Sequence, residues 1–171
     1  MGKISESLRR DAELVVDVCM SVGEDDVVTI ITDNDHVGEA DVLAEVCLER
    51  GAFPVIANNE HQVCRGLVDT RFPMAPPRNL HHAMTNSDEI IIITNLEWAN
   101  RFAHVSAVKQ SCDANAKIAS VEEGMGNWEL TRDDILAATD RAQMAIEALE
   151  KGKTCRVTSP SGTDVIVSIA G

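Results

Sequence analysis

The chain has 171 residues, with 15 Lys plus Arg against 28 Asp plus Glu, a formal charge of −13, 44% apolar residues and only 3% aromatic ones. A chain of this length buries roughly 70% of the surface its unfolded form exposes, so an aliphatic core with no disulfide or metal staple is expected. The acidity disfavours phosphate backbones and anionic headgroups, and the longest wholly aliphatic run, residues 90–93, is far short of the ~18 residues of a membrane span; no nucleic-acid partner, no membrane and a cytoplasmic location without a signal sequence are expected.

Leu8, Ala12, Val15, Val16, Cys19 and Val22 recur at helical spacing, and Gly23 is placed to supply a positive-φ stop. Residues 27–32 (VVTIIT) are β-branched without polar alternation, the pattern of a central parallel strand covered on both faces. Val37, Ala40, Ala44, Cys47 and Leu48 form a second helical stripe that stops at Gly51, and residues 53–57 return as a strand. Residues 58–78, rich in Asn and Arg and broken by Pro73, Pro76 and Pro77, are expected to form an irregular excursion. A short helix over 80–84 leads to residues 89–94 (EIIIIT), the most apolar strand and a central one. Val105, Val108 and Cys112 mark another helix, and residues 117–121 another strand.

Thr131 and Asp134 have capping-box spacing at the head of a long helix with Ile135, Leu136, Ala142, Ile146 and Leu149 expected inward. Residues 155–158, the Ser159-Pro160-Ser161-Gly162 turn, and alternating Val165, Val167 and Ile169 read as a β-hairpin. The expected fold is α/β: a three-layer parallel sheet of Rossmann or flavodoxin type, helices on both faces, right-handed crossovers, and a C-terminal β-hairpin. Residues 1–152 are assigned to the parallel domain and 153–171 to a hairpin that opens a second domain beyond the chain.

Cys19, Cys47, Cys64, Cys112 and Cys155 are odd in number and contain no C-x-x-C pair, against a disulfide framework or zinc ribbon. Cys19, Cys47 and Cys112 fall on apolar helix faces and are expected to be buried thiols. Asp33-Asn34-Asp35-His36 begins like a calcium loop, but Val37 and Ala44 stand where carboxylates are required. Gly124-Met125-Gly126 begins a dinucleotide fingerprint that Glu129 breaks. His81-His82 and Glu122-Glu123 are read as solvated pairs.

Ligands approach open parallel sheets at the carboxyl ends of their strands, where helix N-termini add positive potential. Those ends carry Asp33 and Asp35, then Asn58, Asn59 and Glu60, then Thr94, Asn95, Glu97 and Trp98, and last Glu122 and Glu123. Asp33, Thr94, Asn95 and Glu97 are the substrate-binding candidates on this rim. His104, close to the start of a helix, is the fifth: the helix dipole would hold its ring neutral and able to hydrogen-bond near neutral pH. No catalytic residue and no metal ligand is assigned within the chain.

His104-Val105-Ser106-Ala107 and Ala116-Lys117-Ile118-Ala119-Ser120-Val121 resemble the H-T-x-A-R … A-R-I-A-S-M-P-G stretch of aminopeptidase T and S type proteins, and Val157-Thr158-Ser159-Pro160-Ser161-Gly162-Thr163-Asp164 is similar to their V-T-T-P-x-G-T-D-L segment. Val105, Val108 and Glu122 depart from that pattern, where Thr, Arg and Pro are usual. The resemblance spans nearly the whole chain and includes the 2,5-dihydroxypyridine dioxygenase branch of the same superfamily. It implies an N-terminal cleft domain whose divalent metal (Zn, Co, Mn or Fe) is bound by His, Glu and Asp of a C-terminal domain, a small-molecule or peptide substrate, and a homodimer. It carries over His104 as a cleft-facing residue. The alternative is a stand-alone flavodoxin-like module whose acidic rim holds a small cationic or polar ligand without catalysis.

Overall fold

The computed structural model of the chain describes residues 5–69, 74–121 and 124–169, in two compact units, Met1–Glu129 and Leu130–Gly171. The first is built on a four-stranded parallel sheet of β1 (Val27–Thr32), β2 (Phe53–Asn58), β3 (Glu89–Ile93) and β4 (Lys117–Ser120), in the order β2-β1-β3-β4. The two β-branched runs that lack polar alternation take the middle: every β3 residue and all of β1 except Val27 are buried. No residue of β2 or β4 is buried, and Pro54 and Lys117 are residues suited to an exposed sheet edge.

Side chains alternate between two aliphatic cores. Val28, Ile30, Ile91 and Ile93 pack in one with α1 (Glu6–Glu13), its continuation Leu14–Met20 and α2 (Val37–Glu49). Ile31, Ile90 and Ile92 pack in the other with α3 (Glu60–Val68), α4 (Arg78–Met84), α5 (Leu96–Phe102) and α6 (Ser106–Asp113). The expected three-layer arrangement with covered faces is therefore present.

Several local expectations are corrected. The first helix widens into a π-helical turn over Leu14–Met20, whose i→i+5 bonding turns less per residue and so keeps the successive Leu14, Val15 and Val16 toward the core. The left-handed stop is Ser21, at φ 53°; Gly23 instead donates its N–H to the Asp26 carboxylate at 2.7 Å. Gly51 does end α2 at positive φ, 81°. Of the three cysteines expected inside, only Cys47 is buried, while Cys19 and Cys112 are exposed. In α6 the buried pair is Ala107 and Ser111, one residue earlier than the predicted stripe, because the Ser111 hydroxyl satisfies itself on the Ala107 carbonyl at 2.9 Å.

The described part of the 58–78 excursion includes a helix, α3. Within its polar composition Val63 and Leu67 form a short apolar stripe, and α3 packs Val63 into the second core; Pro73 lies outside the described residues. α5 was hidden behind strand-end polarity, yet it buries Trp98, Ala99 and Phe102, with the two rings stacked at 4.4 Å.

The second unit contains α7 (Arg132–Glu150) and an antiparallel hairpin of β5 (Thr154–Thr158) and β6 (Asp164–Ser168). The capping box forms as expected: the Asp134 N–H donates to the Thr131 hydroxyl at 3.3 Å and the Thr131 N–H to the Asp134 carboxylate at 3.0 Å. Gly162 closes the hairpin turn at φ 102°. Within its own unit the inward face predicted for the helix is not covered: Ile135 is half-buried, whereas Leu136, Ala142, Ile146 and Leu149 are exposed. Amphipathic spacing marks a face that can be covered and does not supply the cover. No described residue of this unit is buried.

Candidate functional site at the strand ends

With the order β2-β1-β3-β4, the chain leaves β1 toward one side to form β2 and crosses to the other side to form β3. Connections diverge between β1 and β3, and a crevice opens at such a point on the carboxyl edge. Thr32 is in register with Ile93, so Asp33 and the Thr94-Asn95 pair occupy that edge together.

Asp33 is buried, and its carboxylate is fully engaged. Oδ2 accepts the Asn95 N–H at 2.7 Å across the β1–β3 boundary, and Oδ1 accepts the His36 N–H at 3.2 Å and faces His36 Nδ1 at 2.5 Å. Thr94 is buried with its hydroxyl donating to the Asn95 carbonyl at 3.4 Å. The Asn95 side chain caps α5, accepting from the N–H groups of Glu97 and Trp98 at 3.1 and 3.3 Å. Glu97 is exposed in the first turn of that helix. Three of the predicted rim residues, Asp33, Thr94 and Asn95, thus form one bonded group, with Glu97 bonded to it through its backbone.

Beside it, the ends of β1 and β2 are tied by side chains. Asn58 donates to the Asn34 side chain at 2.8 Å, and the Glu60 carboxylate accepts the Asn34 N–H at 2.8 Å and the Cys64 thiol at 2.8 Å. The Asn34 N–H, followed by the Cys64 thiol, holds the Glu60 carboxyl below its ordinary range. The same contact pushes the Cys64 thiol up, with burial and the charges of Glu60, Asp33 and Asp35 adding to the effect. Cys64 is therefore a poor thiolate nucleophile.

His104 is exposed in the turn between α5 and α6, just ahead of the α6 cap residue Val105. Its backbone N–H reaches the Arg101 carbonyl at 3.4 Å, and no hydrogen bond joins its ring to the Asp33 group among the described residues. The residue that sequence reading passed over is His36. Its signal is Asp-x-x-His directly after a strand, a stretch that reads as a failed calcium loop and, through Asp33 and Asp35 alone, as part of the acidic rim. Glu122 and Glu123 lie outside the described residues.

No three His, Cys, Asp or Glu side chains among the described residues are grouped to hold a metal ion. His81 and His82 make no such site either, since His81 Nε2 pairs with the Gln110 side chain at 2.8 Å. The described residues therefore offer no ready-made set of metal ligands. No described helix is long and apolar enough to cross a membrane.

These features define an α/β unit with a parallel sheet, a polar bonded carboxyl edge and a separate helix–hairpin unit. No protein-family model matches the chain, and no curated protein matches it. Among solved structures four chains match. One is wild-type AmpT from Thermus thermophilus, with a TM-score of 0.57 at 17% identity, covering 95% of this chain and 53% of that chain. The chain thus spans about half the length of AmpT, and the likeness is one of fold.

Proposed function

We propose that the chain is the N-terminal, substrate-cleft domain of an aminopeptidase-like metalloenzyme. The observation that carries this reading is the AmpT likeness, which extends over 95% of the chain and only 53% of AmpT. A fold shared over so much of one chain and half of the other fits a domain that works with a second one. The sequence resemblance through residues 104–121 and 157–164 supports the same superfamily. In this reading a divalent metal (Zn, Co, Mn or Fe) is held by the C-terminal domain and would activate water or a ring-opening oxygen reaction. The residues of this chain shape the cleft: Asp33 fixes the β1–β3 edge, Asn95 sets the start of α5, and Glu97 and His104 offer exposed polar groups to a small-molecule or peptide substrate. A homodimer belongs to the same proposal.

The test is to express the gene with all of its downstream coding sequence and assay amino-acid anilides and 2,5-dihydroxypyridine with each metal. Metal-dependent anilide hydrolysis is expected, absent from the 171-residue chain alone. Ring opening of the pyridine would assign the oxygenase branch instead, and turnover of neither substrate would overturn the reading.

A further inference from the structure

Asp33 and His36 form an imidazole–carboxylate pair at the point where the sheet connections diverge. Asp33 ends the extended run of β1 and caps the short 3₁₀ turn Asn34–His36, with its side chain accepting the His36 N–H. The His36 ring then returns to the same carboxylate, Nδ1 lying 2.5 Å from Oδ1. A carboxylate only accepts, so the neutral ring carries its proton on Nδ1 and leaves a lone pair on Nε2. The Asp33 side chain is 3% exposed and that of His36 15%, so the ring is largely enclosed, and no described residue hydrogen-bonds Nε2.

A purely structural clasp would be complete without the ring. The backbone N–H groups of His36 and Asn95 already tie Asp33 to both sides of the β1–β3 boundary. What the ring adds is a basic nitrogen of fixed tautomer at the carboxyl edge of the sheet. Its surroundings are mainly anionic: Asp33 and, with opposite sign, His61 act electrostatically on Glu60, and Asp33 and Asp35 act on Cys64, so three carboxylates and one further histidine share one neighbourhood. No described Lys or Arg makes an ion pair with Asp33, Asp35 or Glu60.

We propose that His36, oriented by Asp33, is a ligand-binding group of this edge that accepts at Nε2 a hydrogen bond from the protonated amine of a small substrate. The anionic surroundings favour a cation over a carboxylate or phosphate, and the choice of an amino-acid derivative rests on the function proposed above. Asp33 is the positioning residue and His36 the contacting one.

The test uses the 171-residue chain labelled with nitrogen isotope in histidine, titrated with L-leucinamide and with isocaproamide, the same amide without the amine. The His36 signals, assigned through bonds to the His36 backbone in a chain labelled uniformly with carbon and nitrogen isotopes, are expected to show a protonated Nδ1 and a bare Nε2 at about pH 8, where an ordinary imidazole is neutral. The Nε2 signal should shift saturably with leucinamide and not with isocaproamide. His36→Asn keeps a side-chain N–H for Asp33 but offers no acceptor in place of Nε2; it should keep the folded amide spectrum and bind leucinamide about tenfold more weakly. A ring protonated on Nε2, an equal response to both amides or to neither, or undiminished binding by His36→Asn overturns the proposal. The tautomer and amine selectivity are read on the unsubstituted chain, so they stand even if the variant misfolds. Metal-dependent turnover is scored separately on the longer protein, so either reading can fail while the other survives.

Discussion

Asp33 illustrates how much one side chain can fix. It is a buried carboxylate whose two oxygens accept from the Asn95 and His36 backbones, with the His36 ring on one of them. Removing it leaves those donors without a partner, and a buried unpaired donor costs about 1–3 kcal/mol. Asp33→Ala is therefore expected to lower unfolding stability by about 2 kcal/mol, read as a lower urea midpoint at unchanged slope; an unchanged midpoint would show that the β1–β3 tie is not made in solution. Asn95→Ala removes two bonds to the head of α5, and loss of such a cap costs about 1 kcal/mol, again measured by denaturation. That Asp33, Thr94 and Asn95 lie at the sheet edge was legible in the sequence, because polar residues directly after β-branched runs have few places to go but there. His36 was not legible, because its pairing depends on a single 3₁₀ turn that brings the ring back to Asp33, and no periodicity encodes that.

At the scale of elements, the strands were the most readable parts, since uninterrupted β-branching in Val27–Thr32 and Glu89–Ile93 can only be satisfied by cover on both faces. α3 and α5 were missed because each is short and mixes its few apolar residues with strand-end polarity. The start of β3 makes a testable exception to its otherwise apolar character. Glu89 is buried there, with one oxygen 3.3 Å from Lys117 Nζ and the other without a partner. Burial pushes its carboxyl above the ordinary value of 4.5, against the opposing pull of Lys117 and with help from Asp26 and Asp88. The folded chain thus holds this proton more tightly than the unfolded one. Its contribution is complete below the unfolded value and is lost as pH rises through the raised folded value. Glu89→Gln lacks that loss, so its stability relative to the parent chain should climb with pH above about 4.5. A difference that stays flat from acid to neutral pH, measured by denaturation at several pH values, would show that Glu89 ionises freely in the fold.

The whole molecule divides unevenly. Met1–Glu129 contains both aliphatic cores, whereas Leu130–Gly171 has no buried residue among those described. Side-chain burial is what lifts a segment's opening free energy toward the global value. Amides of β1 and β3 should therefore exchange with deuterium slowest, and those of α7 and the β5–β6 hairpin much faster; equal protection across the two units would show that the second is covered in solution. The helix stripe at Ile135, Leu136, Ala142, Ile146 and Leu149 was read correctly as a pattern and wrongly as an interior, because a sequence records which face is apolar without naming what lies against it.

That bare aliphatic stripe, with Val165, Ile166 and Val167 on the hairpin, also sets a temperature signature. Contacts made by hiding such carbon surface from water weaken on chilling. Any association built on residues 130–169 should thus loosen toward the freezing point and tighten on gentle warming.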